Sequence, residues 1–390
     1  MNRSAKIWKV AAVAVSSVVL SACSLFSDDK NKEVIAPLVD LPAQEIRLDD
    51  IWSTRVGSQG DDVMALVLKP SLQQRQIFAA NAKGKVTAMD RSTGEVHWKH
   101  DLDVGLIGEV GADQQLVVVS DEKGGIYALN AANGEQRWKA QASSEVLAAA
   151  AVNEDVVVVQ AIDSRVQAFD AATGKPRWSY AASQAVLTLR GNSSPVMREG
   201  VVYAAFDNGK IVALNAKTGL MQWEQRFIVP EGRSELERVI DVQADPIVSA
   251  TDIIVGCYQG VVARLEREKG QLQWEEKASI ARNMAVGDGS VFIVEADDSV
   301  RGLRLGTGRE AWKSAAFGGR HLSAAATIGD YVAVADKEGY VHLLAQSDGS
   351  YVGRYDVGGG GVRSNNLFSD GGVLYALTNS GKLYALVLKR

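Results

Sequence analysis

The sequence of 390 residues contains few cysteines, histidines and prolines: two, four and seven, respectively. Two cysteines cannot build a disulfide-rich scaffold. His97 and His100 lie three residues apart in a predicted strand, so they point to opposite faces and cannot share a metal ion. His321 and His342 stand alone, and no catalytic triad can be nominated from spacing. We therefore expect no metal site, no cofactor and no catalytic residue.

Positive charge is not in excess either, because 42 Lys and Arg residues stand against 47 Asp and Glu residues. The net charge is −5 and the isoelectric point about 5.6. Such a chain lacks the basic surface that polyanions require, so no nucleic-acid partner is expected. The composition, with 46% hydrophobic and 23% charged residues, is that of an ordinary folded protein.

The N-terminal apolar run is too short to cross a membrane. It spans Val10–Leu20 behind Arg3, Lys6 and Lys9, whereas a spanning helix requires about 20 apolar residues. This pattern predicts a secretion signal. The run ends in Leu20-Ser21-Ala22-Cys23, which resembles the lipobox of bacterial lipoproteins.

That resemblance implies a signal peptide of residues 1–22, acylation of Cys23 and a flexible tether over 23–44. Ser24 resembles the signal that sorts lipoproteins to the outer membrane. The alternative is an ordinary signal peptide with an incidental cysteine. If Cys23 is acylated, as the lipobox implies, Cys257 has no cysteine left with which to form a disulfide. The apolar residues around Cys257 predict a buried side chain.

A nine-residue block, Asp/Asn-x-x-Thr/Asn-Gly-x-x-x-Trp, recurs along the chain and identifies a repeat protein. The copies, of which the fifth and sixth are looser and the last lacks the Trp, are 90–98, 130–138, 170–178, 215–223, 266–274, 304–312 and 345–353. In this block the Asp or Asn side chain can bond nearby backbone N–H groups, and the Gly can supply a positive φ for a hairpin. The short apolar runs around each block predict four β-strands per repeat.

Four antiparallel strands every 40-odd residues predict an all-β propeller over 45–390. Eight copies of the third strand are present, so we expect eight blades. The last copy ends too near the C terminus for a fourth strand, and 51–57 is expected to supply it and close the ring. The structural Trp residues, expected to fill the seams between blades, are Trp52, Trp98, Trp138, Trp178, Trp223, Trp274 and Trp312.

Two repeats are longer than the others, measured from glycine to glycine: 45 residues from Gly174 to Gly219 and 51 from Gly219 to Gly270. The extra residues fall in successive connections, 181–192 and 226–241, which should emerge side by side on one face. Additional loops on one face are where repeat proteins place binding.

The candidate partner-binding residues in these connections are Leu187, Leu189, Arg190 and Asp241, with Arg233, Glu235, Glu237 and Arg238 as weaker candidates. Apolar anchors beside arginine, with a charged rim, are typical of protein interfaces. The alternative is that the two leucines face the core of blade four and the charges are only solvated.

The Trp block resembles that of the quinoprotein dehydrogenases, eight-bladed propellers that hold pyrroloquinoline quinone and Ca²⁺. The sequence lacks the adjacent cysteine pair that many of those enzymes carry, and it lacks an Asp-x-Asp-x-Asp-Gly calcium loop. A quinone-dependent dehydrogenase is therefore kept as an alternative, and a cell-wall or polysaccharide-binding propeller as another.

The lipobox, the tether, eight Trp-docking blades, LTLRGNSSP (187–195) and RSELERVIDV (233–242) together resemble the BamB family. These proteins are lipoproteins of the β-barrel assembly machinery in the outer membrane. The resemblance implies a non-catalytic scaffold, lipid-anchored to the outer membrane and facing the periplasm, that helps assemble and insert β-barrel proteins. Unfolded outer-membrane proteins are possible further partners.

In that family the loop pair binds a POTRA domain of BamA, and the matching positions are Leu187, Leu189, Arg190 and Asp241. Family members often carry a second Asp where this chain has Gln243. Arg190 could pair with a carboxylate of the partner or with Asp241.

Overall fold

The computed structural model describes residues 35–43, 45–57, 69–184, 193–229, 239–358, 360–362 and 364–389. Two compact units divide the chain, Met1–Ile35 and Ala36–Arg390, and the fold below is that of the second. Its described residues form 32 strands in eight four-stranded antiparallel sheets. No helix among the described residues has the length and apolarity to cross a bilayer.

Blades one to four follow one another along the chain, each with its strands in sequence order from the axis outward. Blade one consists of β2 (Ser71–Leu72), β3 (Gln76–Ala80), β4 (Lys85–Asp90) and β5 (Val96–Asp101). Blade two consists of β6 (Gly111–Ala112), β7 (Leu116–Ser120), β8 (Gly125–Asn130) and β9 (Gln136–Gln141). Blade three consists of β10 (Ala151–Val152), β11 (Val156–Ala161), β12 (Arg165–Asp170) and β13 (Pro176–Ala181). Blade four consists of β14 (Val196–Arg198), β15 (Val201–Phe206), β16 (Lys210–Asn215) and β17 (Met221–Arg226).

Blades five to eight continue this order, except that the outer strand of blade eight comes from the N-terminal part of the chain. Blade five consists of β18 (Ile247–Val248), β19 (Asp252–Gly256), β20 (Gly260–Glu266) and β21 (Leu272–Ala278). Blade six consists of β22 (Ala285–Gly287), β23 (Ser290–Val294), β24 (Val300–Arg304) and β25 (Glu310–Ser314). Blade seven consists of β26 (Ala326–Ile328), β27 (Tyr331–Ala335), β28 (Tyr340–Ala345) and β29 (Tyr351–Asp356). Blade eight consists of β30 (Leu367–Asp370), β31 (Val373–Leu377), β32 (Lys382–Leu388) and β1 (Leu48–Arg55). The predicted eight-bladed propeller is confirmed.

The two middle strands of each blade are buried on both sides, because successive blades stack face to face around the ring. β7, with the sequence LVVVS, is buried at every position. One apolar cluster joins Phe78 and Val86 of blade one to Val117 and Tyr127 of blade two. The outer strands lie at the rim and alternate between more and less exposed positions, as in β13. The core is therefore a series of seams between neighbouring blades.

Each seam is sealed by the repeat block itself. The Trp98 ring of blade one covers Gly134 in the turn of blade two, and its indole N–H donates to the Ala131 carbonyl at 2.9 Å. The φ of Gly134 is +75°, and a Cβ there would lie 2.5 Å from the Trp98 ring. The same docking joins Trp52 to Gly94, Trp138 to Gly174, Trp178 to Gly219, Trp223 to Gly270, Trp274 to Gly308 and Trp312 to Gly349.

The ring closes where the sequence predicts, through an N-terminal strand that carries Trp52. The strand, β1, runs from Leu48 to Arg55 and pairs antiparallel with β32. This observed span begins earlier than the expected 51–57. Because blade eight takes its outer strand from the other end of the chain, it has no turn between its third and fourth strands.

The missing turn in blade eight accounts for the missing Trp in the preceding blade. Gly353 of β29 occupies the Trp position, but blade eight has no glycine turn on which an indole could dock. The backbone of Ile46 lies there instead: Ile46 N–H donates to the Val352 carbonyl at 2.8 Å, and a Cβ on Gly353 would overlap the Ile46 carbonyl oxygen.

The N-terminal segment, residues 36–43 and 45–47, packs along blade seven. Ala36 N–H donates to the Gly318 carbonyl, and the Arg320 guanidinium donates to the Ala36 carbonyl, both at 2.8 Å. Val39 packs against the apolar cluster of blades six and seven. The sequence assigned 36–43 to the flexible tether and began the propeller at residue 45. Within the described residues, backbone hydrogen bonds and the packing of Val39 fix this segment from Ala36 onward.

The ring has two different faces. Antiparallel strands alternate in direction, so the links between blades and the turns between second and third strands all lie on one side, the connection face. The Asp/Asn–Gly turns and their Trp docks lie on the other side, the turn face. The N-terminal segment starts on the connection face, at Gly318.

We predict that Gly134→Ala destabilises the protein more than Gly200→Ala. Both glycines have a positive φ, +75° and +78°, but Gly200 has nothing within 4 Å of an added Cβ. The left-handed backbone should cost roughly 1–2 kcal/mol at either site, and displacing the Trp98 ring should add about 1–3 kcal/mol at Gly134. Urea midpoints at matched m-values measure the difference. Equal losses would contradict the docking account.

Candidate partner-binding site

The two long connections flank blade four on the connection face. The structure describes their ends: 182–184 and 193–195 for the first, and 227–229 and 239–246 for the second. Leu187, Leu189, Arg190, Arg233, Glu235, Glu237 and Arg238 lie outside the described residues, as does Cys23. Asp241 alone among the predicted partner-binding residues is described.

The ends of both connections converge on one turn of blade four, Asp207–Asn208–Gly209. Asn208 Nδ2 donates to the Ser183 carbonyl at 2.7 Å, which fixes the start of the first connection. Gly209 accepts from Phe227 N–H at 2.9 Å, at the start of the second connection. Asp207 Oδ1 accepts from Val242 N–H at 3.0 Å, at the end of the second connection. This turn therefore sets the relative position of the two connections.

Gly209 is essential to this arrangement because the second connection passes directly over it. Its φ is +76°, and an added Cβ would lie 2.5 Å from the Ile228 carbonyl oxygen and 3.0 Å from Ile240 Cδ1. The sequence carries a signal for the turn, since Asp-Asn-Gly between two apolar runs predicts a tight hairpin. Nothing local in the sequence identifies what the turn contacts, and for that reason sequence reasoning missed it.

Asp241 lies at the end of the second connection and has no exposed surface. Its carbonyl accepts from Tyr258 N–H at 2.8 Å, and Gln243 Nε2 donates to its Oδ2 at 3.2 Å. Gln243 thus bonds to Asp241 within the chain. The burial of Asp241 favours a role in shaping the connection over direct contact with a partner.

Asp207 and Asp241 form a carboxyl pair. Burial raises the pKa of Asp207, and the neighbouring charge of Asp241 and a hydrogen bond between the two side chains raise it further. Two carboxylates so close cannot both ionise without repulsion, so Asp207 holds a proton under conditions in which an ordinary aspartate has lost it. Cys257 lies nearby, fully buried as predicted, and burial raises the pKa of its thiol to about 11.

A groove opens at the rim between blades four and five, next to the second connection. Its volume is about 800 Å³, and its lining includes Arg226, Val229, Leu272 and Glu276. The side chains of Val229 and Leu272 are 64% and 40% exposed. Apolar side chains with charged neighbours give this rim the mixed character of a protein interface.

Comparison with known proteins identifies the family. The profile described as outer membrane protein assembly factor BamB matches residues 82–314 and 296–389. The BamB of Pseudomonas aeruginosa is 46% identical over 98% of this chain and 99% of its own length. The chain belongs to the BamB family. The BamB of Legionella pneumophila is 39% identical over 88% of each chain.

Solved structures agree with the propeller fold. The crystal structure of BamB from Moraxella catarrhalis matches with a TM-score of 0.78 at 24% identity, covering 87% of this chain and 100% of that chain. The quinohemoprotein alcohol dehydrogenase from Comamonas testosteroni matches with a TM-score of 0.66 at 14% identity, covering 87% of this chain and 76% of the enzyme. At such identities the likeness shows the fold alone, and it does not extend quinone chemistry to this chain.

We predict that Asp207→Asn flattens the dependence of stability on pH. The raised pKa means that the folded protein retains a proton that the unfolded chain releases above the ordinary aspartate range. The wild type should therefore lose stability as the pH rises from the ordinary aspartate range through the folded pKa of Asp207. Asparagine keeps the acceptor for Val242 N–H and cannot ionise.

Melting temperatures of the wild type and Asp207→Asn between pH 5 and 9 test this sign, with Asp40→Asn at an exposed position as the control. The wild type should fall relative to Asp207→Asn as the pH rises, whereas Asp40→Asn should track the wild type. Parallel curves for all three proteins would exclude the shared proton.

Proposed function

We propose that this protein is a non-catalytic scaffold of the machinery that assembles and inserts β-barrel proteins into the outer membrane. The single observation that carries this proposal is its membership of the BamB family over nearly its full length. Its relatives are named outer membrane protein assembly factors. The chain would act through binding, with the propeller as a rigid support for its long connections.

The partner in this proposal is a POTRA domain of BamA, bound on the connection face by 181–192 and 226–241. Convergence of both connections on Asp207–Gly209 supports this assignment, because a paired loop surface with fixed ends is suited to one docking site. Leu187 and Leu189 would serve as apolar anchors and Arg190 as a charged contact. Arg233, Glu235, Glu237 and Arg238 would contribute the charged rim. Asp241, which is buried at the end of the second connection, would hold that end in position.

The proposed location is the periplasmic side of the outer membrane, held by acyl chains on Cys23. Ala36 is hydrogen-bonded to Gly318 on the connection face. The chain between Cys23 and Ala36 extends to about 45 Å at most. The anchor would thus keep the connection face within about that distance of the membrane.

We predict that Leu189→Ala and Arg190→Ala each weaken binding to the periplasmic POTRA region of BamA by about tenfold or more, which corresponds to about 1.4 kcal/mol. Truncating an anchor or removing a charged contact at the centre of an interface should have this effect. Leu220→Ala is the matched control, because Leu220 is 70% exposed and lies on the turn face. Titration calorimetry measures all three affinities.

Wild-type affinity in both Leu189→Ala and Arg190→Ala would remove the first connection from the interface. Loss of affinity in Leu220→Ala would move the interface to the turn face. Melting temperatures of each variant separate a lost contact from a lost fold.

We predict that Cys23 is the site of acylation. In cells fed labelled palmitate, the wild type and Cys257→Ala should carry the label, and Cys23→Ala should not. Cys257→Ala is the control because that thiol is fully buried. The membrane fraction should retain the wild type and release Cys23→Ala. Label on Cys23→Ala would refute the lipobox assignment.

A further inference from the structure

An ion pair crosses the centre of the ring. Lys69 Nζ lies 2.8 Å from Asp245 Oδ2. Lys69 directly precedes the inner strand of blade one, and Asp245 precedes that of blade five, so the pair joins two blades on opposite sides of an eight-membered ring. An axial cavity of about 400 Å³ borders this pair, and their remaining exposed surface faces it.

Asp245 is the hub of a larger polar group, which we call the axial cluster: Lys69, Glu109, Ser194, Asp245, Asn283 and Asn365. Asp245 Oδ1 accepts from Ser194 N–H at 2.7 Å. Asn283 Nδ2 donates to Asp245 Oδ2 at 2.8 Å, and Asn283 Oδ1 accepts from Asp245 N–H at 2.7 Å. Blades one, two, four, five, six and eight all contribute to the cluster.

Two members of the cluster, Ser194 and Asp245, lie at the ends of the long connections. Ser194 follows 181–192 closely in the chain, and Asp245 follows 226–241. The hydrogen bond from Ser194 N–H to Asp245 therefore ties the end of the first connection to the end of the second. Lys69 holds the same carboxylate from the opposite side of the ring. This link is separate from the one that Asp207–Gly209 provides between the two middle strands of blade four.

The charges of the cluster are strongly coupled. Burial disfavours the Asp245 carboxylate, but the attraction of Lys69 and hydrogen bonds from Lys69 and Ser194 keep its pKa below the usual range. Burial raises the pKa of Glu109 to about 7, against the attraction of Lys69 and with the repulsion of Asp245. Lys69 is thus the cation that attracts both carboxyl groups. Its removal would leave the Asp245 carboxylate, of which 18% is exposed, without its neighbouring cation, which is costly for a largely desolvated charge.

We propose that Lys69 is a positioning residue for the partner-binding surface: by holding Asp245, it fixes the spacing between connections 181–192 and 226–241. The inference rests on the proposed function, since it assigns those connections to one binding site. Lys69 itself does not contact the partner. It acts through Asp245 and the Ser194 backbone, from the axis of the ring.

Lys69→Met is the first test, because methionine keeps the length of the side chain and removes the charge. We expect the affinity for the BamA POTRA region to fall at least about fivefold. We also expect faster amide hydrogen exchange in 181–192 and 226–241, and unchanged exchange in connection 315–325, which links blades six and seven. Arg91→Met is the matched control. It breaks an ion pair with Asp370 on the turn face and should reduce stability without changing affinity or exchange in these connections.

A double variant separates positioning from a general loss of stability. Asp245→Asn alone leaves Lys69 with only Glu109 as a carboxyl neighbour. Lys69→Met with Asp245→Asn removes both charges of the ion pair and keeps an amide that can bond Asn283. The double variant should therefore bind better than the product of the two single effects predicts. It also carries the comparison if Lys69→Met fails to fold.

The outcomes for the two proposals differ. If the wild type does not bind BamA, the proposed function fails, and the exchange measurement still tests the axial cluster. If the wild type binds and folded Lys69→Met shows wild-type affinity and wild-type exchange in both connections, the positioning role is refuted. Additive effects in the double variant would also overturn it.

Discussion

The ring depends on one repeated contact, the docking of an indole on a glycine turn of the next blade. The turn needs a positive φ and no Cβ, so only glycine lets the ring approach. The indole N–H is satisfied by a carbonyl of the same turn, as in Trp98 with Ala131. The flat indole, with its one N–H hydrogen bond, fixes both the distance between neighbouring blades and their relative position along the propeller axis. Repetition of this contact around the circle produces the propeller.

The Trp–glycine contact is absent between blades seven and eight, where the ring is closed. Blade eight takes β1 from the N-terminal part of the chain, so it has no glycine turn, and the blade before it has Gly353 instead of Trp. Backbone from Ile46 fills the vacated space. The segment that closes the ring thus also leads the chain out along blade seven, where Arg320 and Val39 hold it. One exception to the repeat accounts for the closure, the lost Trp and the attachment of the N-terminal segment.

Local patterns in the sequence were enough to predict the blades. The run KVTAMD predicted a strand over 85–90, and β4 spans those residues, because alternation and a turn signal are properties of adjacent positions. The burial of Asp241 beside Asp207 and the pairing of Lys69 with Asp245 could not be predicted. These pairs are separated by 34 and 176 residues along the chain, and only the curvature of the ring brings them together. The packing of 36–43 was missed because its hydrogen bonds are made by backbone groups, which any sequence carries.

The division between the two faces explains why partner binding is proposed where it is. On the turn face, each glycine turn that receives an indole holds two neighbouring blades together, and an insertion in the turn would disrupt their packing. The connection face carries no such contact, so its links can lengthen without cost to the neighbouring blades. A long loop is a poor binding surface unless its ends are fixed, because the partner must then order it. Asp207–Gly209 in the middle of blade four and Asp245 at the axis fix both long connections at their ends. The ends of the two connections are therefore already ordered in the free protein, which lowers the entropic cost of binding a partner.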